Sequence, residues 1–252
     1  MKTDLNPSWE LLTQAVESLR VLESVDSTNT WAHENLLPAW GVVLTLNQSK
    51  GRGRWGREWE LQPGRGVALS IGVPLSGEGS DVGLEHTWLP LVAGACLVRA
   101  MKLNGVAEVA VKWPNDLLVG SRKLGGILTE IDQRGQAIVG VGINVRPWER
   151  ELSRARISLD ELVEVTSTTL DSILSSVILE LRDAILLTPR ETKTFVSSHL
   201  MTIGRGVEVL DQSGESWTGT AIGLDDFGSL LVRNDEGTVI PQRATEIHHL
   251  VQ

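Results

Sequence analysis

One cysteine, two phenylalanines and no tyrosine occur among the 252 residues. Cys96, alone in "LVAGACLVRAM", has no partner for an internal disulfide, so a reducing, cytoplasmic setting is expected. No apolar run approaches the roughly 20 residues needed to cross a bilayer. The opening "MKTDLNPSWELLTQ" lacks the continuous apolar core of a signal peptide. Basic residues are outnumbered 23 to 32, and the net charge of −9 argues against general binding to nucleic acid or a membrane surface. His33, His86, His199, His248 and His249 form no metal-ligand pattern, and the G-x-x-x-x-G-K-[ST] phosphate loop is missing. Repeats and long low-complexity segments are missing too. Cys96 is assigned to core packing and His248-His249 to the surface.

What remains is ordinary for a globular chain: 41% apolar and 22% charged residues, enough to bury a substantial core. Residues 8–20, "SWELLTQAVESLR", read as one short amphipathic helix. About twenty residues precede "VLESVDSTN", fewer than the ~40 that a small independent domain needs. Asp26 or Ser27 is the candidate N-cap of a helix through "TNTWAHENLL". "GVVLTLNQ" and "GVALSIGVPL" read as strands. "EHTWLPLVAGACLVRAMKLNG", residues 85–105, reads as a helix ended by Gly105, with Pro90 in its first turn. "VAEVAVKW" alternates, with Val109, Val111 and Trp113 on one face. "DLLVGSRKLGGILTEI" reads as two strands turning at Gly120-Ser121, and "QAIVGVGINV" as another. Helices follow at 169–187 and 191–200. From about residue 203 short alternating strands separated by Gly, Asp, Asn and Ser indicate a small all-β barrel. The domains expected are 1–202 and 203–252. The larger one is α+β with a mixed, mostly antiparallel sheet, because several connections are too short for parallel crossovers.

The most unusual run is "NQSKGRGRWGREW", residues 47–59. Gly51 to Gly56 match G-x-G-x-x-G, but Pro63, Gly64 and Gly66 follow where a dinucleotide site needs a helix. Gln48, Arg52, Arg54 and Arg57 instead come off one loop after a buried strand. Arginines suit phosphate or carboxylate, and glycines let a backbone fold over a ligand. A mobile loop ordering around an anion is the sharper reading. A solvated loop and an RNA-binding segment are the alternatives, the last opposed by the acidic total charge. The second dense segment is "VKWPNDLLVGSRKLGGILTE". Lys112 and Lys123 bracket it, Asn115 and Asp116 form a polar turn, and Gly125-Gly126 follow Lys123. Gly140, Gly142 and Asn144 mark a third strand with glycines and a polar end. Glycine inside a strand signals a bulge or a close approach by a backbone or ligand.

"DSTN", "GRGRWGREW", "KWPNDL", "KLGGIL" and "GVGINV", in this order and spacing, resemble the biotin–protein ligases (biotin–[acetyl-CoA-carboxylase] ligases) across residues 21–146. The resemblance implies a class II synthetase-like catalytic domain with a C-terminal SH3-like β-barrel. It implies that biotin and ATP, with Mg²⁺, give biotinyl-5′-adenylate and pyrophosphate. The biotinyl group then passes to one lysine of a biotin carboxyl carrier protein, the acetyl-CoA carboxylase subunit. It places Ser27, Thr28, Asn29, Gln48, Arg52, Gly53 and Arg54 at biotin. Lys123 falls at the biotin carboxylate and α-phosphate as electrophilic stabiliser, with Arg54 assisting. Arg57, Trp55, Lys112, Asn115, Asp116, Gly142 and Asn144 fall at ATP or the adenylate, and Asp116 at Mg²⁺ through water. "SLDELVEV" at 158–165 is assigned to covering the nucleotide.

Two departures stand out. Trp55 occupies the place of a third arginine, either stacking on adenine or, the preferred reading, anchoring the loop. The N-terminal winged-helix domain of repressor-type members is not present, so no operator DNA and no membrane are expected as partners, and the protein is a monomer or homodimer. Lipoate or octanoate ligases share the fold implied and are the rival assignment. A nucleic-acid-binding module is the non-enzyme rival.

Overall fold

A computed structural model describes residues 7–75, 84–148, 155–210, 215–243 and 246–250. Its centre is a seven-stranded sheet. In chain order the strands are β1 (Ser18–Leu22), β2 (Gly41–Thr45), β5 (Gly66–Val73), β6 (Val109–Lys112), β7 (Asp116–Val119), β8 (Arg122–Ile131) and β9 (Ala137–Asn144). Across the sheet they run β1-β2-β5-β9-β8-β7-β6, with β1 and β2 parallel and every other neighbour antiparallel. The α+β reading with a mostly antiparallel sheet therefore holds. Between β2 and β5 a two-stranded ribbon, β3 (Gly51–Arg52) with β4 (Glu58–Trp59), leaves the sheet. No helix follows Gly56, so the dinucleotide turn is excluded by structure as well as by sequence.

The two faces of the sheet differ in side-chain size. On β5 and β9 the residues Val67, Leu69, Ile71, Val139, Val141 and Ile143 belong to the main core. Their strand neighbours Ala68, Ser70, Gly140 and Gly142 face the other way, since successive side chains alternate. The large-residue face is covered by α3 (Leu89–Leu103) and α4 (Ser167–Ala184), which pack on each other. Burying each Leu, Ile or Val there contributes on the order of 1.5–3 kcal/mol before chain entropy. Local chemistry fixes the helix ends. Pro90 opens α3 and Gly105, at φ 89°, follows its end. Thr166 caps α4, and Thr188 with Glu191 forms a capping box on α5 (Pro189–Ser197). The small-residue face is left concave, with α2 (Thr28–Glu34) at one end.

One element differs from expectation. Residues 8–20 are not one helix. The helix α1 spans Glu10–Ala15, Val16 turns extended, and Ser18–Leu22 becomes β1. Parallel pairing with β2 supplies the ladder that wins, and Asp171 on α4 accepts from Leu11 N and Leu12 N, both at 2.9 Å. The N-cap question is settled for Ser27, whose hydroxyl accepts from Thr30 N, while Asp26 turns to Ser49 and Lys50.

The C-terminal strands β10 (Gly206–Leu210), β11 (Ser216–Leu224), β12 (Leu230–Asn234), β13 (Val239–Gln242) and β14 (Glu246–His249) form one antiparallel sheet in the order β13-β12-β11-β10-β14. Its inner residues, among them Val207, Leu230 and Ile247, are continuous with the main core. Trp88 Nε1 donates to Asp226 O at 2.9 Å and Trp113 Nε1 to Gly228 O at 3.1 Å, tying this sheet to the first. Cys96 is fully buried on α3, and burial pushes its thiol well above the usual range, which suits packing and not reactivity. His248 is exposed as expected, whereas His249 is half-buried against Thr202. Among the described residues no helix is long and apolar enough to cross a membrane.

Candidate functional site

The concave face carries one cavity into which nearly all the sequence-derived candidates project. Ser27, Thr28, Asn29, Gln48, Arg52, Gly53, Arg54, Trp55, Arg57, Lys112, Asn115, Asp116, Lys123 and Gly142 all line it. Its closed end is polar, uncharged and buried. Ser27, Thr28, Asn29 and Gln48 are each at most 7% exposed. Gln48 Oε1 accepts from Thr28 N at 2.9 Å, joining the start of α2 to the strand end that leads into the ribbon. Asn29 Oδ1 accepts from Ser70 Oγ at 2.6 Å. This close fit needs Gly140, because a Cβ at that position would collide with the Asn29 amide.

The opposite, open end is cationic. In the ribbon, Gly53 N donates to Arg57 O at 2.7 Å, closing a tight turn over Arg54–Gly56. The ribbon is tied at its root, where Asp26 accepts from Lys50 Nζ and Ser49 Oγ, each at 2.8 Å. Those two hydrogen bonds, the lysine's first, hold the Asp26 carboxyl below the usual carboxylate range. Trp55 is not a buried anchor. It is 49% exposed, sits at φ 58°, and lies beside two guanidinium groups, Arg54 at 4.9 Å and Arg57 at 5.5 Å from its ring. A left-handed backbone at a bulky residue is disfavoured by about 1–2 kcal/mol, and the stacked arginines offset part of that.

Trp59, which the sequence reading passed over, is the aromatic that enters the cavity. Its indole lies against Gly142, where a Cβ would overlap the ring, and its Nε1 is buried without a hydrogen-bond partner. The Gly142 gap expected to admit nucleotide is thus filled by this chain's own indole. Lys123 Nζ stands 5.4 Å from the Trp59 ring centre.

Lys123 reaches the cavity because β8 is irregular. Leu117 pairs with Gly125 but Leu118 pairs with Lys123, leaving Leu124 as an extra residue. The bulge puts Lys123 on the same face as Gly126 and Leu128, while Leu124 is fully buried on the other. The backbone of Lys123 is held from three sides: its N–H donates to Ala155 O at 2.7 Å, and its carbonyl accepts from Ile157 N at 3.0 Å and from Asn144 Nδ2 at 3.1 Å. The ammonium meets Asp116 Oδ1 at 2.6 Å. Asn115 binds Ile127 in both directions, Nδ2 to Ile127 O at 2.8 Å and Ile127 N to Asn115 O at 2.9 Å, which fixes the turn carrying Asp116.

Asn144 is the candidate that does not reach the cavity. Its amide lies behind the site and holds Lys123 O and Ile157 O. Residues 158–165 do not line the cavity either. Glu161 hydrogen-bonds Ser158 and Arg122 there. Sequence reasoning missed Trp59, Ser70 and Glu130, the last of which binds Asn29 and Arg52. The strand pattern held a usable signal: on β5 every second residue is small, and Gly140 and Gly142 extend that on β9, which marks a floor rather than a packed face. Among the described residues no group of three or more His, Cys, Asp or Glu side chains could hold a metal. Asp116 is the carboxylate beside Lys123, a set that fits a cation arriving with phosphate ligands of its own and not a resident ion.

The chain is similar to known proteins over most of its length. Residues 21–146 match the biotin/lipoate A/B protein ligase family, and residues 202–246 match the biotin protein ligase C-terminal domain. The bifunctional ligase/repressor BirA of Escherichia coli is 32% identical over 91% of this chain and 73% of that protein. The biotin–[acetyl-CoA-carboxylase] ligase of Mycobacterium tuberculosis is 33% identical over 82% of this chain and 79% of its own length. The biotin protein ligase from Aquifex aeolicus in complex with biotin and ATP superposes with a TM-score of 0.77, at 27% identity, over 93% of this chain and all of that one.

Proposed function

The chain belongs to the biotin/lipoate A/B protein ligase family, and on that premise we propose that it is an ATP-dependent biotin–protein ligase. One observation carries the reading: a single cavity joins a buried polar end, Ser27, Thr28, Asn29 and Gln48, to basic side chains at Lys112, Lys123, Arg54 and Arg57, with Arg52 held beside Asn29 through Glu130. Biotin offers the matching pair, a ureido ring and a carboxylate. An apolar lipoyl or octanoyl tail would leave the remaining hydrogen-bonding capacity of Ser27, Thr28, Asn29 and Gln48 desolvated and unused, which disfavours that substrate.

In the first step a carboxylate oxygen of biotin attacks the α-phosphorus of ATP, and the bond to pyrophosphate breaks. Two unit charges 4 Å apart repel by about 4 kcal/mol at an effective dielectric of 20. Lys123 offsets that repulsion at the reacting atoms, and the bulge, Asn144 and Ile157 keep its backbone from moving as charge shifts. Asp116 orients the ammonium before substrate enters. Mg²⁺ would be held by Asp116 through water together with triphosphate oxygens, where it would lower the charge of the leaving pyrophosphate. Arg54 and Arg57 reach over the phosphates from the ribbon, with the Trp55 ring beside both guanidinium groups. The acyl-adenylate must be kept from water, and the ribbon is the part able to cover it. In the second step a carrier-domain lysine amine attacks the biotinyl carbonyl and AMP leaves. A biotin carboxyl carrier protein is the acceptor we assign.

Biotin-dependent exchange of labelled pyrophosphate into ATP tests the reading. Exchange with biotin and none with lipoate is expected. Exchange that needs lipoate would replace this function with its rival.

A further inference from the structure

Glu130, near the end of β8, lies outside the cavity lining and has no part in the chemistry above. Its Oε2 accepts from Asn29 Nδ2 at 2.7 Å and from Arg52 Nη2 at 2.8 Å. His33 Nε2 approaches the same oxygen at 3.7 Å. One carboxylate therefore joins α2, which carries Asn29, to the ribbon, which carries Arg52.

The consequence for Asn29 follows from donor and acceptor chemistry. A carboxylate only accepts, and so does the Leu128 carbonyl, which takes a second bond from Asn29 Nδ2 at 3.3 Å. Both amide hydrogens of Asn29 are committed to these two acceptors. Oδ1 must then turn toward Ser70, whose hydroxyl donates to it, and Gly140 leaves room for that orientation. A carbonyl oxygen has two lone pairs, and one remains. All that Asn29 can offer a ligand in the cavity is an acceptor. Turned the other way it would present hydrogens.

We propose that Glu130 is a positioning residue for head-group recognition. It fixes Asn29 as the acceptor for a ureido N–H and ties the Arg52 ribbon to the same point, so that reading the ring and placing the lid share one carboxylate. The inference rests on the biotin reading above and adds to it the residue that sets the polarity of the closed end.

The test compares Glu130→Leu with Glu130→Gln by steady-state exchange, with KM for biotin, KM for ATP and kcat read separately. Glu130→Leu removes the acceptor and should raise KM for biotin about tenfold or more, the range for a lost hydrogen bond to a charged group. KM for ATP and kcat should change little. In Glu130→Gln the side-chain carbonyl can take the place of Oε2, so biotin KM should return most of the way to the original. A biotin methylated on a ureido nitrogen should bind poorly to the unsubstituted protein and lose most of that disadvantage in Glu130→Leu. Tryptic cleavage at Arg52 in the presence of biotin should be faster in Glu130→Leu.

An unchanged biotin KM in Glu130→Leu overturns the proposal, as does an equal loss in both variants. Should Glu130→Leu not fold, Glu130→Ala is read in its place, since the side chain is 26% exposed and water can enter. Failure of both to fold would give the carboxylate a role in stability alone and also overturns the proposal. Absence of biotin-dependent exchange in the unsubstituted protein would sink the functional reading first, and this inference with it.

Discussion

The β3–β4 ribbon and the β7–β8 hairpin bring positive charge to one cavity by different means. The ribbon has two paired residues on each side, and its Arg57 and Trp55 are exposed. Beyond its own ladder it is held by Asp26 at the root, by Glu130 at Arg52 and by the Trp59 indole against Gly142. The hairpin is part of the central sheet, and Lys123 is pinned by a bulge and three backbone hydrogen bonds. On the mechanism we propose, charge that must hold its place during reaction sits on the built-in element, and charge that must cover the ligand and then let it go sits on the ribbon.

The largest effect should come from the rigid side. Lys123→Ala should lower biotin-dependent exchange by about 10²–10³, the loss seen when one preorganised stabilising group is removed, while thermal unfolding barely changes. Exchange at the original rate would take Lys123 out of the mechanism. Next is Gly140→Ala, which drives a methyl into Asn29. Overpacking a buried site costs about 1–3 kcal/mol, so KM for biotin should rise roughly tenfold with KM for ATP little altered. An equal rise in both would show that the two ends of the cavity are not separate. The ribbon should then respond to ligand where the hairpin does not: biotin should slow tryptic cleavage at Arg52, Arg54 and Arg57 severalfold. Cleavage indifferent to biotin would remove the lid from the account.

The smallest effect concerns the rim between Lys112 and the C-terminal sheet. Thr202 Oγ1 accepts from Trp113 N at 3.0 Å and lies 3.0 Å from His249 Nε2, where its hydroxyl can donate to a neutral ring. Burial, then the Lys112 and Arg205 charges, push His249 down to about 4. The unfolded chain takes up that proton first, near 6.5. Stability from neutral His249 is therefore complete above that pH and is lost as the pH falls toward about 4. His249→Gln cannot titrate and should flatten the fall in Tm across this window. A slope as steep as the original would show that other groups set it.

Legibility in the sequence followed locality. Some helix ends were readable because Pro90, Gly105 and Ser27 act on their own neighbours, whereas the caps Thr166 and Thr188 were found only in the structure. The glycines of β8 and β9 were readable as close approaches, but what approaches was not: Asn29 fills one gap and Trp59 another. The start of β1 was hidden because Leu19 stands at helical spacing from Leu12, Ala15 and Val16. Only the ladder offered by β2 makes it extended. Trp55 drew attention by its neighbours in the chain, whereas Trp59, four residues on, is the aromatic that the sheet receives.

By itself the sequence determined which chemical groups are present, in what order, and which short segments turn, cap or alternate. Five motifs in series were enough to identify the family. The tertiary structure decided which side chains meet. Asn29 and Glu130 are 101 residues apart, and their 2.7 Å hydrogen bond exists because β8 lies beside β9 in one register while α2 packs over β9 and β5. A shift of one residue would turn each of those side chains to the opposite face. The Leu124 bulge makes that shift once, on purpose of geometry alone, and so delivers Lys123 to the cavity while its neighbour stays in the core.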